Sequence, residues 1–148
     1  MTGLIYDFPA RFEIDEEGRF LVRFPDLPEA LTDGADETEA LVEASDCLSE
    51  ALASRIVDGQ EIPPPRRIAR GMYRISPEPR IALKAALYTA LRKQGMTIAD
   101  LARQLGIDER RAARLLDLRA RSRLADLEEA LLALGYTIGI EVREKRTA

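Results

Sequence analysis

Apolar residues recur with period two near the start of the chain and every three to four residues later, which predicts strands first and helices afterwards. Phe8, Ala10, Phe12 and Ile14 alternate with Arg11 and Glu13. Asp15-Glu16-Glu17-Gly18 is a turn whose glycine can take positive φ. Phe20, Val22 and Phe24 then alternate with Leu21 and Arg23, so the two runs predict an antiparallel hairpin. Pro25-Asp26-Leu27-Pro28 ends the second strand, because proline cannot donate to a ladder. Ala30 to Thr32 predicts a short third strand, and 72–75 a further one returning to the same sheet. Between them lies a helix from Glu37 to Asp58, with Asp36 as N-cap and Glu39 three residues on. Leu41, Ala44, Leu48, Leu52 and Ile56 form its sheet-facing stripe. Glu37, Glu43, Asp46 and Glu50 make the other side acidic, and Gly59 is its terminator.

The second half predicts helices over Ile81 to Gln94, Ile98 to Leu105, Glu109 to Asp117 and Leu124 to Leu134. Leu83, Leu87 and Leu91 mark the stripe of the first, and Gly95 and Gly135 are stop signals. A last strand is predicted where Ile138, Ile140 and Val142 alternate with Thr137, Gly139, Glu141 and Arg143. The fold class is α+β, in two domains. Residues 1–62 form the first, 63–79 a linker stiffened by Pro63-Pro64-Pro65, and 80–148 the second.

Thr97 to Leu116 carries the most specific pattern. Thr97 is an N-cap with Asp100 at the N3 position of a capping box. Leu101 and Leu105 point to a core, and Ala102 leaves room for a crossing helix. Gly106 occupies the turn, Ile107 follows it into the core, and Asp108 caps the next helix. Ala112 and Leu115 bury that helix's inner face. These constraints fit a helix-turn-helix, although two short helices joined by any glycine would share some of them. In such a motif the second helix enters the major groove with its N-terminal part near base edges. Glu109, Arg110, Ala113 and Arg114 are then the candidate base readers, since arginine grips guanine and glutamate accepts from cytosine. Arg103, Arg111, Arg119, Arg121 and Arg123, with the amides of the helix that Thr97 opens, are candidate phosphate contacts. Any one arginine reads equally well as solvated surface charge; the cluster carries the weight. Domains this small usually read DNA as dimers, and Ile138, Ile140 and Val142 are the expected dimerisation strand.

Charge sharpens this division. Residues 1–62 hold 16 acidic and 4 basic side chains, net −12, and residues 63–148 hold 10 and 18, net +8. A basic half suits a polyanion, and an acidic half suits a basic protein. The chain has no histidine and one cysteine, Cys47, so common zinc sites, His-dependent triads and an internal disulfide are out of reach. Cys47 is expected to be a small core residue rather than a reactive thiol. There is no run near the ~20 apolar residues that a membrane span needs. Nor does the start resemble a secretory leader, and a cytoplasmic location is expected. No cofactor and no metal are implied.

Tyr6 to Pro28, with Phe8-Pro9-Ala10, the acidic turn ending in glycine and Phe24-Pro25-Asp26-Leu27-Pro28, resembles the N-terminal domain of HicB antitoxins. The following glycine, the capped acidic helix and Ile62-Pro63 fit as well, and the helix-turn-helix resembles the DNA-binding domain of one branch of that family. Members commonly have glycine after Phe-Pro-Asp-Leu-Pro, where this chain has Glu29. The resemblance implies a partial ribonuclease-H-like fold for the first domain. It also implies that the chain blocks a small basic HicA-type toxin that cleaves messenger RNA, and that it represses its own operon on double-stranded operator DNA as a homodimer or larger oligomer. Two other readings stand beside it. One is a stand-alone regulator whose first domain senses a small molecule. The other is a metal-dependent nuclease using Asp7, Asp15, Asp26, Asp33 and Asp36, which most of those residues' places in turns and caps disfavour. The expected protein is not an enzyme.

Overall fold

The computed structural model describes residues 3–144. It is an α+β structure with a four-stranded antiparallel sheet and five helices, in two compact units. One runs to Ala82 and the other from Leu83 to Arg143.

In the first unit, β1 (Phe8–Ile14), β2 (Phe20–Arg23), β3 (Leu31–Gly34) and β4 (Tyr73–Ile75) lie in the order β3-β2-β1-β4. The hairpin pairs Phe12 with Val22 and Ile14 with Phe20, while β4 returns to the far edge of β1, pairing Phe8 with Ile75. Its turn is closed by the Asp15 carboxylate, which accepts the N–H groups of Glu17 and Arg19, both at 2.9 Å. Helix α1 (Glu37–Val57) packs on the sheet and starts as the sequence predicts: the Asp36 side chain accepts the Glu39 N–H at 2.8 Å. Phe8, Ala10, Val22, Phe24, Leu27 and Ile75 meet Ala40, Ala44, Leu48 and Leu52 in the core.

Local differences from the predicted pattern have packing reasons. Ala40, rather than the half-buried Leu41, is fully buried on the helix stripe, because β3 passes too close for a larger residue. A Cβ on Gly34 would lie 2.4 Å from the Ala40 backbone nitrogen, so both sides of this contact must be small. The alternation of β1 fades outward: Phe12 stacks on Tyr73 with centroids 4.1 Å apart, and Ile14 is exposed. The third strand begins at Leu31, one residue after the buried Ala30. The end of the connector is fastened to α1 at two places. The Ser45 hydroxyl donates to the Ser76 carbonyl at 2.7 Å, and the Glu78 N–H donates to the Ser49 hydroxyl at 2.8 Å.

The second unit contains most of α2 (Pro79–Gln94), then α3 (Ile98–Leu105), α4 (Glu109–Arg114) and α5 (Leu124–Ala133). Leu87, Ala90, Leu91, Leu101, Ala102, Ala112, Leu115, Leu127 and Leu131 fill its core. Leu105 and Ile107 are only half-buried, at the edge of that core rather than in it. Helix α4 stops at Arg114, short of the predicted Asp117, and Leu115 to Asp117 close in tighter turns. The predicted strand at Ile138, Ile140 and Val142 is not formed: Tyr136 to Glu144 have no regular secondary structure. A strand needs a ladder partner, and among the described residues these have none; Ile140 and Val142 are 78% and 90% exposed.

Candidate functional site

The positions from Thr97 to Arg123 are built outward from the α3–α4 pair. At the start of α3, Thr97 and Asp100 form a reciprocal capping box: the Asp100 N–H donates to the Thr97 hydroxyl at 3.1 Å, and the Thr97 N–H donates to the Asp100 carboxylate at 2.9 Å. At the other end, Gly106 takes φ +68° and its N–H reaches back to the Ala102 and Arg103 carbonyls, while the Ile107 N–H bonds the Ala102 carbonyl at 3.0 Å. This left-handed closure reverses the chain within two residues. Asp108 then caps α4, accepting the Arg111 N–H at 2.8 Å. The buried Ala102 and Ala112 suit the close approach of the two short helices.

That packing leaves one side of α4 outward. Glu109, Arg110, Arg111, Ala113 and Arg114 are all exposed, as are Arg103, Arg119, Arg121 and Arg123. They differ in freedom. Arg103 is ion-paired with Asp100, and Arg119 lies 3.5 Å from the Asp117 carboxylate. Arg110, Arg111, Arg114, Arg121 and Arg123 form no ion pair among the described residues. The Thr97 N–H is taken by Asp100, so that amide is not open to an external anion, and the carboxylate itself stands at the helix start.

Two carboxylates of this region, Asp100 and Asp117, titrate low. The Thr97 N–H and hydroxyl, and then the Arg103 charge, hold Asp100 below its ordinary 3.8. The Arg119 N–H does most of the same for Asp117. A depressed carboxylate adds stability that is complete above the unfolded value and is lost as pH falls through the folded one. Unit 2 is therefore expected to lose stability as pH drops below about 4, and Asp100→Asn to flatten that loss. Melting curves between pH 6 and pH 2.5 check this; an unchanged acid limb in the variant would contradict it.

The first unit carries part of its negative charge on α1, where Asp46 and Glu50 are exposed and Glu43 half-exposed. Cutting the chain after Ala82 leaves 17 acidic and 9 basic side chains before the cut, net −8, and 9 and 13 after it, net +4. The contrast is smaller than the sequence halves imply, because Arg66, Arg67, Arg70, Arg74 and Arg80 belong to the first unit. On the sheet, Arg11 and Arg23 stand directly opposite one another and line an open groove of about 620 Å³ with Leu21, Pro25, Pro28 and Leu31. The acidic character is therefore shared between α1, net −4, and the rest of the unit, also net −4, and the face around Arg11 and Arg23 interrupts it.

Glu29, which stands where the sequence resemblance leads one to expect glycine, forms contacts of its own. Its two oxygens accept from Arg55 Nε at 2.6 Å and Nη2 at 2.9 Å, and Arg55 also donates to the Glu61 carbonyl at 2.7 Å. This bidentate pair ties the Phe24–Pro28 loop and the start of the connector to α1; it lowers the Glu29 pKa and raises that of Arg55. Nearby, Asp26 accepts from the Arg66 side chain at 2.7 Å and its N–H at 3.0 Å. Asp15 and Asp36 serve a turn and a helix cap, and Asp33 pairs with Arg19 at 2.9 Å. Among the described residues there is no group of three or more Cys, Asp or Glu placed to hold a metal ion. Cys47 is half-buried, and burial, then Glu50, Glu29 and Glu43, push its thiol up, away from a reactive thiolate. No helix among the described residues is long and apolar enough to cross a membrane.

Sequence reasoning overlooked Lys84. It is fully buried, and its ammonium donates to the carbonyls of Arg114, Asp117 and Ala120. The available signal was its place on the apolar stripe of α2, three residues after Ile81 and four before Tyr88.

Residues 7–86 match the family described as HicB_like antitoxin of bacterial toxin-antitoxin system. Among similar proteins, Antitoxin HicB 2 of Photorhabdus laumondii is 36% identical over 128 residues, covering 86% of this chain and 90% of the relative. Antitoxin HicB 1 of the same organism is 30% identical over 91% of this chain and 86% of its own length. Antitoxin HicB of Escherichia coli K12 is 29% identical over 90% and 96%. Matches that run through both units, together with a family match spanning the sheet, α1 and the start of α2, make the chain a member of the HicB-like family of antitoxins of bacterial toxin–antitoxin systems.

Proposed function

We propose that the chain neutralises a small, basic, HicA-type mRNA-cleaving toxin through its first unit and represses its own operon through its second. The α3–α4 pair is a helix-turn-helix in this reading, and the sheet with α1 is the partial ribonuclease-H-like domain. The observation that carries the DNA half is the outward face of α4 and the loop after it. Arg110, Arg111, Arg114, Arg121 and Arg123 are exposed there without a carboxylate partner among the described residues. Unpaired, exposed arginines on a short helix and in the loop after it suit phosphate and guanine, which offer the anionic and bidentate acceptors they lack. Glu109, Arg110, Ala113 and Arg114 are the proposed base readers. Arg103, Arg111, Arg119, Arg121 and Arg123 are the proposed phosphate contacts, and Thr97 takes the same role through the amides of the α3 start that its capping box leaves open.

The toxin half is supported by family membership and by the carboxylates of α1, whose field attracts a basic partner and speeds encounter more than it sets final affinity. Neutralisation is by occlusion, with no bond made or broken by this chain. Pull-down from the native host should recover a small basic protein encoded beside it. Recovery of this chain alone, from cells that express both, would refute the toxin half.

We also assign dimerisation to the tail. Ile138, Ile140 and Val142 alternate in sequence along a segment that forms no ladder among the described residues, and a twin segment from a second copy would supply one. Removing residues 136–148 should turn a dimer into a monomer on a sizing column; an unchanged elution volume would sink this role.

A further inference from the structure

Lys84 is the only buried charged side chain among the described residues, with 0% of its surface exposed. Burying an ammonium is costly unless hydrogen bonds replace its water. Here Nζ lies 3.3 Å from the carbonyl oxygen of Arg114, 2.5 Å from that of Asp117 and 2.7 Å from that of Ala120. Three acceptors match the three protons of the group. The choice of acceptors matters more than their number. Arg114 is the last residue of α4, at the end where helix carbonyls carry partial negative charge, and its carbonyl also accepts the Asp117 N–H at 3.2 Å. Asp117 and Ala120 lie in the loop beyond. Both α4 and the loop are thus tied to one point on α2, and the Ser122 hydroxyl adds a fourth thread by donating to the Arg114 carbonyl at 3.3 Å.

A merely structural loop has cheaper solutions. Its own N–H groups already close turns at Leu115, Leu116, Asp117 and Ala120, and an apolar residue on α2 would fill the core without a desolvation cost. What the ammonium adds is a fixed relation between α4 and the segment carrying Arg119, Arg121 and Arg123. Those arginines and the ones on α4 must present together to one rigid, evenly charged backbone.

We propose that Lys84 is a positioning residue for the nucleic-acid interface. It never meets the duplex, but it holds the Asp117–Arg123 loop in register with α4 so that the loop arginines reach phosphates. This rests on the DNA reading above.

The test uses the full chain with two probes: a duplex of the DNA upstream of its own reading frame, and a scrambled duplex of the same length. Lys84→Met keeps most of the stem and removes the three donors. It should weaken both duplexes alike, about tenfold or more, and should lower the slope of log affinity against log salt by about two to three, one step for each lost phosphate contact. The triple variant Arg119→Ala/Arg121→Ala/Arg123→Ala should show the same slope, and combining it with Lys84→Met should cost little more. A folded Lys84→Met protein with unchanged affinity and slope overturns the inference. So does a slope unchanged while only the upstream duplex is lost. If Lys84→Met does not fold, Lys84→Gln, which keeps two donors, takes its place; failure of both to fold makes the lysine a folding requirement and also overturns the positioning role. If the triple variant itself binds both duplexes normally, the phosphate reading of the loop has failed, and the inference falls with it. That outcome differs from a failure of Lys84 alone, in which the triple variant is impaired and Lys84→Met is not.

Discussion

The double variant Arg110→Ala/Arg114→Ala should lose at least thirtyfold in affinity for operator DNA and discriminate poorly between operator and scrambled duplex. Each arginine that grips a base edge contributes about 1–3 kcal/mol, so the pair together accounts for about 2 kcal/mol or more. Both side chains are exposed and unpaired among the described residues, so their removal leaves no orphaned carboxylate and should not shift the melting temperature. Toxin binding should be untouched. Gel-shift titrations at two salt concentrations check the first part, and co-purification with the toxin checks the second. The pattern separates base reading from general attraction: loss of a phosphate contact weakens all sequences alike, whereas loss of a base reader flattens the preference. Equal losses on operator and scrambled DNA would demote both residues to phosphate contacts.

Gly34→Ala is expected to be the most damaging single methyl in the first unit. The added carbon would sit 2.4 Å from the backbone nitrogen and 2.7 Å from the Cα of Ala40. Neither neighbour is the end of a flexible side chain. Either β3 must move off α1 or the first turn of the helix must shift, and α1 and β3 make one of the most extensive contacts in the unit. Forcing a methyl into a packed site costs about 1–3 kcal/mol, and an immovable backbone neighbour puts this one at the upper end. Urea unfolding should show a lower midpoint with an unchanged slope. Gly3→Ala, with nothing within 4 Å of its new carbon, is the control. A variant at position 34 as stable as that control would mean that β3 does not approach α1 as described.

Local chemistry was the legible part of this chain. The caps at Asp36, Thr97 and Asp108, and the left-handed glycine at 106, involve groups within a few residues of each other, so a short window of sequence contains all the information. The strands also followed from short patterns, including the three residues of β4, because Pro77 and Pro79 punctuate the chain beyond it. Contacts that join distant segments were not legible. Glu29 and Arg55 are 26 residues apart, Asp26 and Arg66 40, and Lys84 and Ala120 36. Nothing in the pattern near one partner announces the other. Periodicity also places the stripe of α1 without saying where a strand crosses closely enough to demand Ala40 in place of a leucine. Charge counted by sequence halves misplaced the connector arginines, since β4 carries that segment into the first unit's sheet. The alternation of the tail predicts a strand because it records a preference for pairing, whereas a strand forms only where a ladder partner is supplied.

Backbone amide spectra of the whole 148-residue chain test most directly whether DNA and toxin engage two separate surfaces. Added operator duplex should shift the signals of residues 97–123 and leave those of 8–58 in place. Added toxin should do the reverse, moving α1 and the strands beside it. Operator-induced shifts centred on the sheet and α1, or toxin-induced shifts centred on α4, would contradict that separation.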